Sequence, residues 1–143
     1  MVVDGQAQFV GSNGREAHRA IEKAARQAKA AVDVEAVDRS DAKVSVKIGF
    51  RSHGRSAATV YVAVAEVRAE SQVGKGENSG RRLQHVAAVR ALVTAGTVKA
   101  GERFFKQMSL SVPAGAGKGG LRVVAFVQER SSGRVLGVMQ LAL

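Results

Sequence analysis

Cysteine and tryptophan are absent from this 143-residue sequence, proline occurs once, and aromatic residues make up 4%. Without cysteine there is no disulfide framework, no thiol nucleophile and no Cys-based zinc site within the chain. The three histidines, at 18, 53 and 85, fit no local metal-ligand spacing. Neither a metal nor a cofactor is expected. With so few aromatics, no strand interleaves Phe or Tyr with basic residues to stack bases, and nucleic acid is not an expected partner. Acidic residues are also short: 12 against 22 Lys and Arg, a formal charge of +10. That excess points to an acidic partner, a protein or an anionic polymer, although Arg and Lys are spread along the chain. No apolar run approaches the ~20 residues that cross a bilayer. The opening MVVDGQAQ carries no basic start followed by an apolar core, so no signal peptide is read there.

What is present is enough for a core. A hydrophobic fraction of 45% excludes disorder, and the length suits one compact domain with a small appendage. Asp4-Gly5 between Met1–Val3 and Gln6–Val10 predicts a tight hairpin, because both central turn residues need positive φ. Asn13 with Glu16 three residues on has capping-box spacing. Ala17, Ala20, Ile21, Ala24, Ala25 and Ala28 then recur at helical spacing. From Ala31 the period changes to two. Val32, Val34 and Ala36, then Val44, Val46, Ile48 and Phe50, alternate with polar residues as in half-buried antiparallel strands.

The run Ala58–Ala69 is apolar on both faces and predicts a central strand. Phe104–Val112, Leu121–Gln128 and Val135–Leu143 are three further strands, and Ser52–Arg55 reads as a turn. Residues Arg82–Val93 fit helix or strand, and the regular turn spacing of their neighbours favours strand. Strand phase then points His85 inward with Leu83 and Val89. The fold expected is mainly β: an immunoglobulin-like antiparallel β-sandwich over 31–143, preceded by a hairpin and one helix over 1–30.

No Ser-His-Asp set or paired-carboxylate motif is legible, so no catalytic residue is assigned. Gly115–Gly120 has a lysine but no hydroxyl after it and no following helix, unlike a phosphate loop. The most unusual polar run is Gly74–Arg82, followed by His85. Glu77, Asn78, Arg81, His85 and Arg90 are the candidate ligand-binding residues, able to hold an anion or a metal or to orient a water. The plainer reading has Glu77 and Asn78 bonding loop backbone and Arg81 pairing with Glu77.

The same residues carry a resemblance. Gly76-Glu77-Asn78-Ser79-Gly80-Arg81, then Leu83, His85 and Val89-Arg90, resembles the GEN-small-GR-x-L-x-H…VR signature. That signature belongs to the C-terminal half of a bacterial secreted thioredoxin-like family of unknown function. Met1–Gly5, Phe9–Ser12 and the closing Val135–Leu143 are also similar to that family. The sequence departs at Ala87, where the family often has Asn. The resemblance implies a periplasmic or secreted setting, and a hairpin and helix that are the tail of a thioredoxin-like domain whose Cys-x-x-Cys segment is not in this chain. Dithiol exchange, which needs a thiolate, is then outside its reach. The expectation is a non-catalytic accessory domain. Residues 1–30 either dock on the sandwich or exchange with a second chain to form a homodimer, because a lone two-stranded hairpin is marginal.

Overall fold

The computed structural model describes residues 1–52, 56–116 and 119–143. Most of the expected turn at Ser52–Arg55, and Gly117-Lys118 of the glycine-rich run, lie outside the described residues. Strands β1 (Val2–Val3) and β2 (Ala7–Gln8) form the opening hairpin. Asp4 and Gly5 at its turn have φ of 56° and 68°, as a type I′ turn requires. Helix α1 (Gly14–Ala25) follows, with the Asn13 side chain accepting from Glu16 N at 3.2 Å and donating to Glu16 Oε2 at 3.0 Å. The apolar spacing runs on to Ala28, but the helix stops three residues earlier. Beyond it the chain is tied to other partners: Lys29 pairs with Asp4 and donates to Val135 O, and Ala30 N donates to Leu136 O at 2.8 Å.

Seven longer strands make the body: β3 (Val32–Arg39), β4 (Lys43–Arg51), β5 (Ala58–Gln72), β6 (Arg82–Val98), β7 (Arg103–Ser111), β8 (Leu121–Glu129) and β9 (Val135–Ala142). They form two antiparallel sheets, β3-β4-β7 and β6-β5-β8-β9. Residues 82–93 are therefore strand, as expected. The two sheets share one core. Val44, Val46 and Ile48 of β4 meet Val60, Val62 and Val64 of β5 and Val123 and Val127 of β8 in a single buried cluster. Valine suits this place, since a β-branched side chain is stiff and fits a pleated surface. Strict alternation in β4 puts every second residue into the core and leaves Lys43, Ser45, Lys47 and Gly49 on the other face.

Strand β5 is central, flanked by β6 and β8, and both its faces are buried from Val62 to Ala65. Its partnership with β8 ends at the Glu66–Leu121 pair, whereas pairing with β6 continues to Gln72–Arg82. Beyond Glu66 the two strands therefore leave the body as a two-stranded arm.

The hairpin rests on the body. Asp4 O accepts from Val135 N at 3.1 Å, and the Gln6 side chain donates to Ser132 O at 2.7 Å. Gly5 lies so close to the Gly133 carbonyl that a Cβ there would collide with it. Gly137 likewise admits the Ala30 carbonyl, which brings the lead-in of β3 against β9. Among the described residues, no helix is long and apolar enough to cross a membrane.

Candidate functional site

The arm and the run after Pro113 border an open hollow of about 440 Å³. Among the described residues it is lined by Glu66, Arg68, Ala69, Glu70, Arg90, Gly115 and Gly119. Glu66 continues the core-facing series Val60, Val62, Val64, so strand alternation alone drives a carboxylate inward at the end of the sandwich. Its side chain is 5% exposed, and a charge buried so far must be paired.

Arg90 supplies a partner, its Nε donating to Glu66 Oε2 at 2.8 Å while its own side chain stays 39% exposed. A β-bulge makes this possible. Val64 pairs with Ala91 and Ala65 with Val89, so Arg90 is the extra residue in β6 and its side chain is re-aimed. Four residues further along β5, Arg82 Nε reaches Glu70 Oε2 at 2.8 Å, and Arg82 Nη2 also contacts that oxygen. Arg68 stands between the two glutamates on the same strand, exposed, without an ion pair among the described residues.

The five sequence-predicted residues do not form one site. Glu77, Asn78 and Arg81 sit at the arm's tip, exposed. The tip is held by backbone: Val73 N to Arg81 O at 2.9 Å, Gly80 N to Val73 O at 2.8 Å, and Arg81 N to Asn78 O at 3.0 Å. Gly76 and Gly80 adopt φ of 88° and 81° there. The expected Arg81–Glu77 pair is not what forms; the arginine in an ion pair is the next residue, Arg82, with Glu70.

His85 also departs from expectation. It is exposed, paired across the arm with Ala69, and its Nε2 lies 2.7 Å from Ser71 Oγ. The reason is that the second sheet does not extend over the arm: Ala69 is still covered, but the larger His85 opposite it stands in water. The bulge at Arg90 also breaks the phase that linked Leu83, His85 and Val89 to the core; Val89 is 60% exposed. Arg90 alone of the five joins the cavity. Sequence reasoning missed Glu66 and Glu70, although the acid at the end of a buried apolar run was the signal that a cation must come to meet it. Among the described residues, no group of three or more His, Asp or Glu side chains is placed to hold a metal ion.

Fold and site together define a two-sheet β protein with a projecting, charge-laddered hairpin. Residues 1–128 match the family described as "Protein of unknown function (DUF1223)", and the chain belongs to that family. No curated protein matches it. Among solved structures it is similar to the sporulation control protein Spo0M of Bacillus subtilis, at 14% identity and a TM-score of 0.53. That alignment covers 82% of this chain and 49% of the other, so the chain spans about half the length of that protein. The likeness is one of fold. More distant matches are β-glucuronidase 2 of Bacteroides uniformis (12% identity, TM-score 0.43, 78% of this chain, 12% of that one) and the alkylpurine DNA glycosylase AlkC of Pseudomonas fluorescens (17%, 0.37, 90% and 36%).

Proposed function

We propose that the chain is a non-catalytic accessory or interaction module, an immunoglobulin-like sandwich carried by a secreted or periplasmic thioredoxin-like protein. The observation that carries this reading is that the cavity's two carboxylates are already engaged: Glu66 and Glu70 are each held by an arginine of the facing strand. Such forks fasten one strand to another and leave the carboxylates turned to a neighbour rather than to a reacting group.

The strand order supports the immunoglobulin-like part. Lettered in chain order, the seven body strands run A-B-E in one sheet and D-C-F-G in the other. This differs from the constant-type arrangement, ABED with CFG, in the sheet that the fourth strand joins. Residues 1–30 are a separate unit, the tail of the thioredoxin-like part. The contacts of Asp4, Gln6 and Lys29 with the β8–β9 end favour docking on the same chain over exchange with a second copy. Glu77, Asn78, Arg81 and His85 at the arm, with Arg90 at its base, act as contact residues for a partner.

Two measurements test this. The whole chain, mixed with chromogenic phosphate, ester and glycoside substrates, is expected to give no turnover above blank; turnover lost in Glu66→Gln or His85→Ala overturns the non-catalytic reading. A chain of residues 31–143 is expected to unfold in one cooperative transition; a broad, non-cooperative melt overturns the division at residue 30.

A further inference from the structure

Helix α1 brings together charges that look scattered in the sequence. Arg15, Arg19, Lys23 and Arg26 recur at spacings of four, four and three. At about 100° per residue they fall within about 80° of the helix circumference, in a line about 16 Å long. All four are exposed, and none has an ion-pair or hydrogen-bond partner for its side chain among the described residues. The two glutamates of α1 flank this line and are turned to other groups. Glu16 belongs to the Asn13 cap, and Glu22 lies 4.0 Å from His18 Nε2.

The rest of the helix is different. Ala17, Ala20, Ala24 and Gln27 are half-buried; Ala20, Ala24 and Gln27 line a small hollow against the hairpin, with Lys23 at its edge, and Ile21 is 54% exposed. Ile21 stands about 160° from the middle of the basic line. A helix that lies in a membrane interface needs a broad apolar face free to enter the bilayer. On α1 the small Ala17, Ala20 and Ala24 are already half-covered, and Ile21 by itself makes no such face.

We propose that this face of α1 docks a phosphodiester polymer, contacted along its backbone without regard to base sequence. The fit is one of charge: a straight row of unpaired cations meets a straight row of anions, and each contact releases a condensed counterion. Stacking is not required for backbone contacts, so the scarcity of aromatics does not bear on this surface. The assignment goes beyond the module reading and lies on α1, away from the cavity and the arm; either can fail without the other.

The test uses the whole chain and a short fluorescein-labelled DNA duplex of arbitrary sequence, read by fluorescence anisotropy. Four phosphate contacts predict an affinity that falls about a hundredfold between about 50 and 200 mM salt. The double variant Arg19→Glu/Arg26→Glu is expected to weaken binding at low salt by at least about tenfold and to flatten that dependence. A charge-matched variant at the far end of the sandwich, Arg39→Glu/Lys43→Glu, is expected to stay within about twofold. Far-ultraviolet circular dichroism of both variants keeps loss of the helix apart from loss of contact. Equal weakening by the two variants overturns the proposal, since total charge then carries the binding. So does an absence of binding at low salt, a preference for heparin over the duplex, or tighter binding to phosphatidylglycerol vesicles that is lost in Ile21→Ser.

Discussion

Between Ala58 and Val64, β5 lies between two strands and beneath a second sheet; between Arg68 and Gln72 it has one neighbouring strand and no second sheet, and Ala69 alone of these five residues is buried. The same backbone ladder to β6 serves both halves. In the first half the alternating residues are Val60, Val62 and Val64, fully buried. In the second, the same phase continues as Glu66, Arg68, Glu70 and Gln72. The difference teaches that alternation by itself chooses a face and not an environment. Where a second layer exists, that face becomes core and its stability is a matter of apolar area. Where the layer stops, the face becomes a ladder of cross-strand charges, worth little when exposed and much only at Glu66, where the layer ends and the carboxylate is still covered.

Four substitutions sharpen this contrast. Ile48→Ala, in the fully buried row of β4, is expected to cost about 2–5 kcal/mol, read from urea unfolding of the whole chain. A cost under about 1 kcal/mol would mean that the two sheets do not press on one another there. Arg90→Ala comes next, at about 3 kcal/mol, the low end for breaking a buried pair because Arg90 itself is partly in water. If Glu66→Gln/Arg90→Ala is much less destabilised than Arg90→Ala, the loss comes from the buried Glu66 charge rather than from the packing of the Arg90 side chain.

Ala87 gives a smaller effect of the opposite sign. It holds φ at 54° in the middle of β6, a conformation that a Cβ disfavours. Ala87→Gly is expected to raise stability by about 0.5 kcal/mol, the relief of that strain less the entropy that glycine loses. A lowered melting midpoint would contradict it. Asparagine also tolerates this region, so Ala87→Asn is expected to cost less than a β-branched substitution there. Arg82→Ala, which removes an exposed partner of Glu70, is expected to stay within about 0.5 kcal/mol of the parent. A loss as large as that of Arg90→Ala would show that the arm is as dry as the body.

Much of this was legible beforehand. The period-two run at Val44–Phe50 and the two-faced apolar run from Ala58 announced β4 and the central β5, because burial on one face or on both leaves its pattern directly in the residues. Asp4-Gly5 and Asn13–Glu16 announced the turn and the helix start, since each is a local hydrogen-bonding or φ requirement. The candidate site was much less legible. Gly74–Arg82 was conspicuous in composition, yet a two-stranded ribbon without a covering layer leaves Glu77, Asn78 and Arg81 in water. The Glu66–Arg90 pair joins residues 24 apart in sequence through a bulge that no local pattern marks.

The sequence by itself determined the apolar face of β4, the two-sided burial of β5, the turn, the cap and the absence of any thiol, because each depends on residues within a few positions of one another. Only the tertiary structure decided where the second sheet ends, and with it which charges are buried, which stand in a row on α1 and which way His85 faces. Those follow from how far one layer extends over another, a distance set by long-range pairing and not by any single segment.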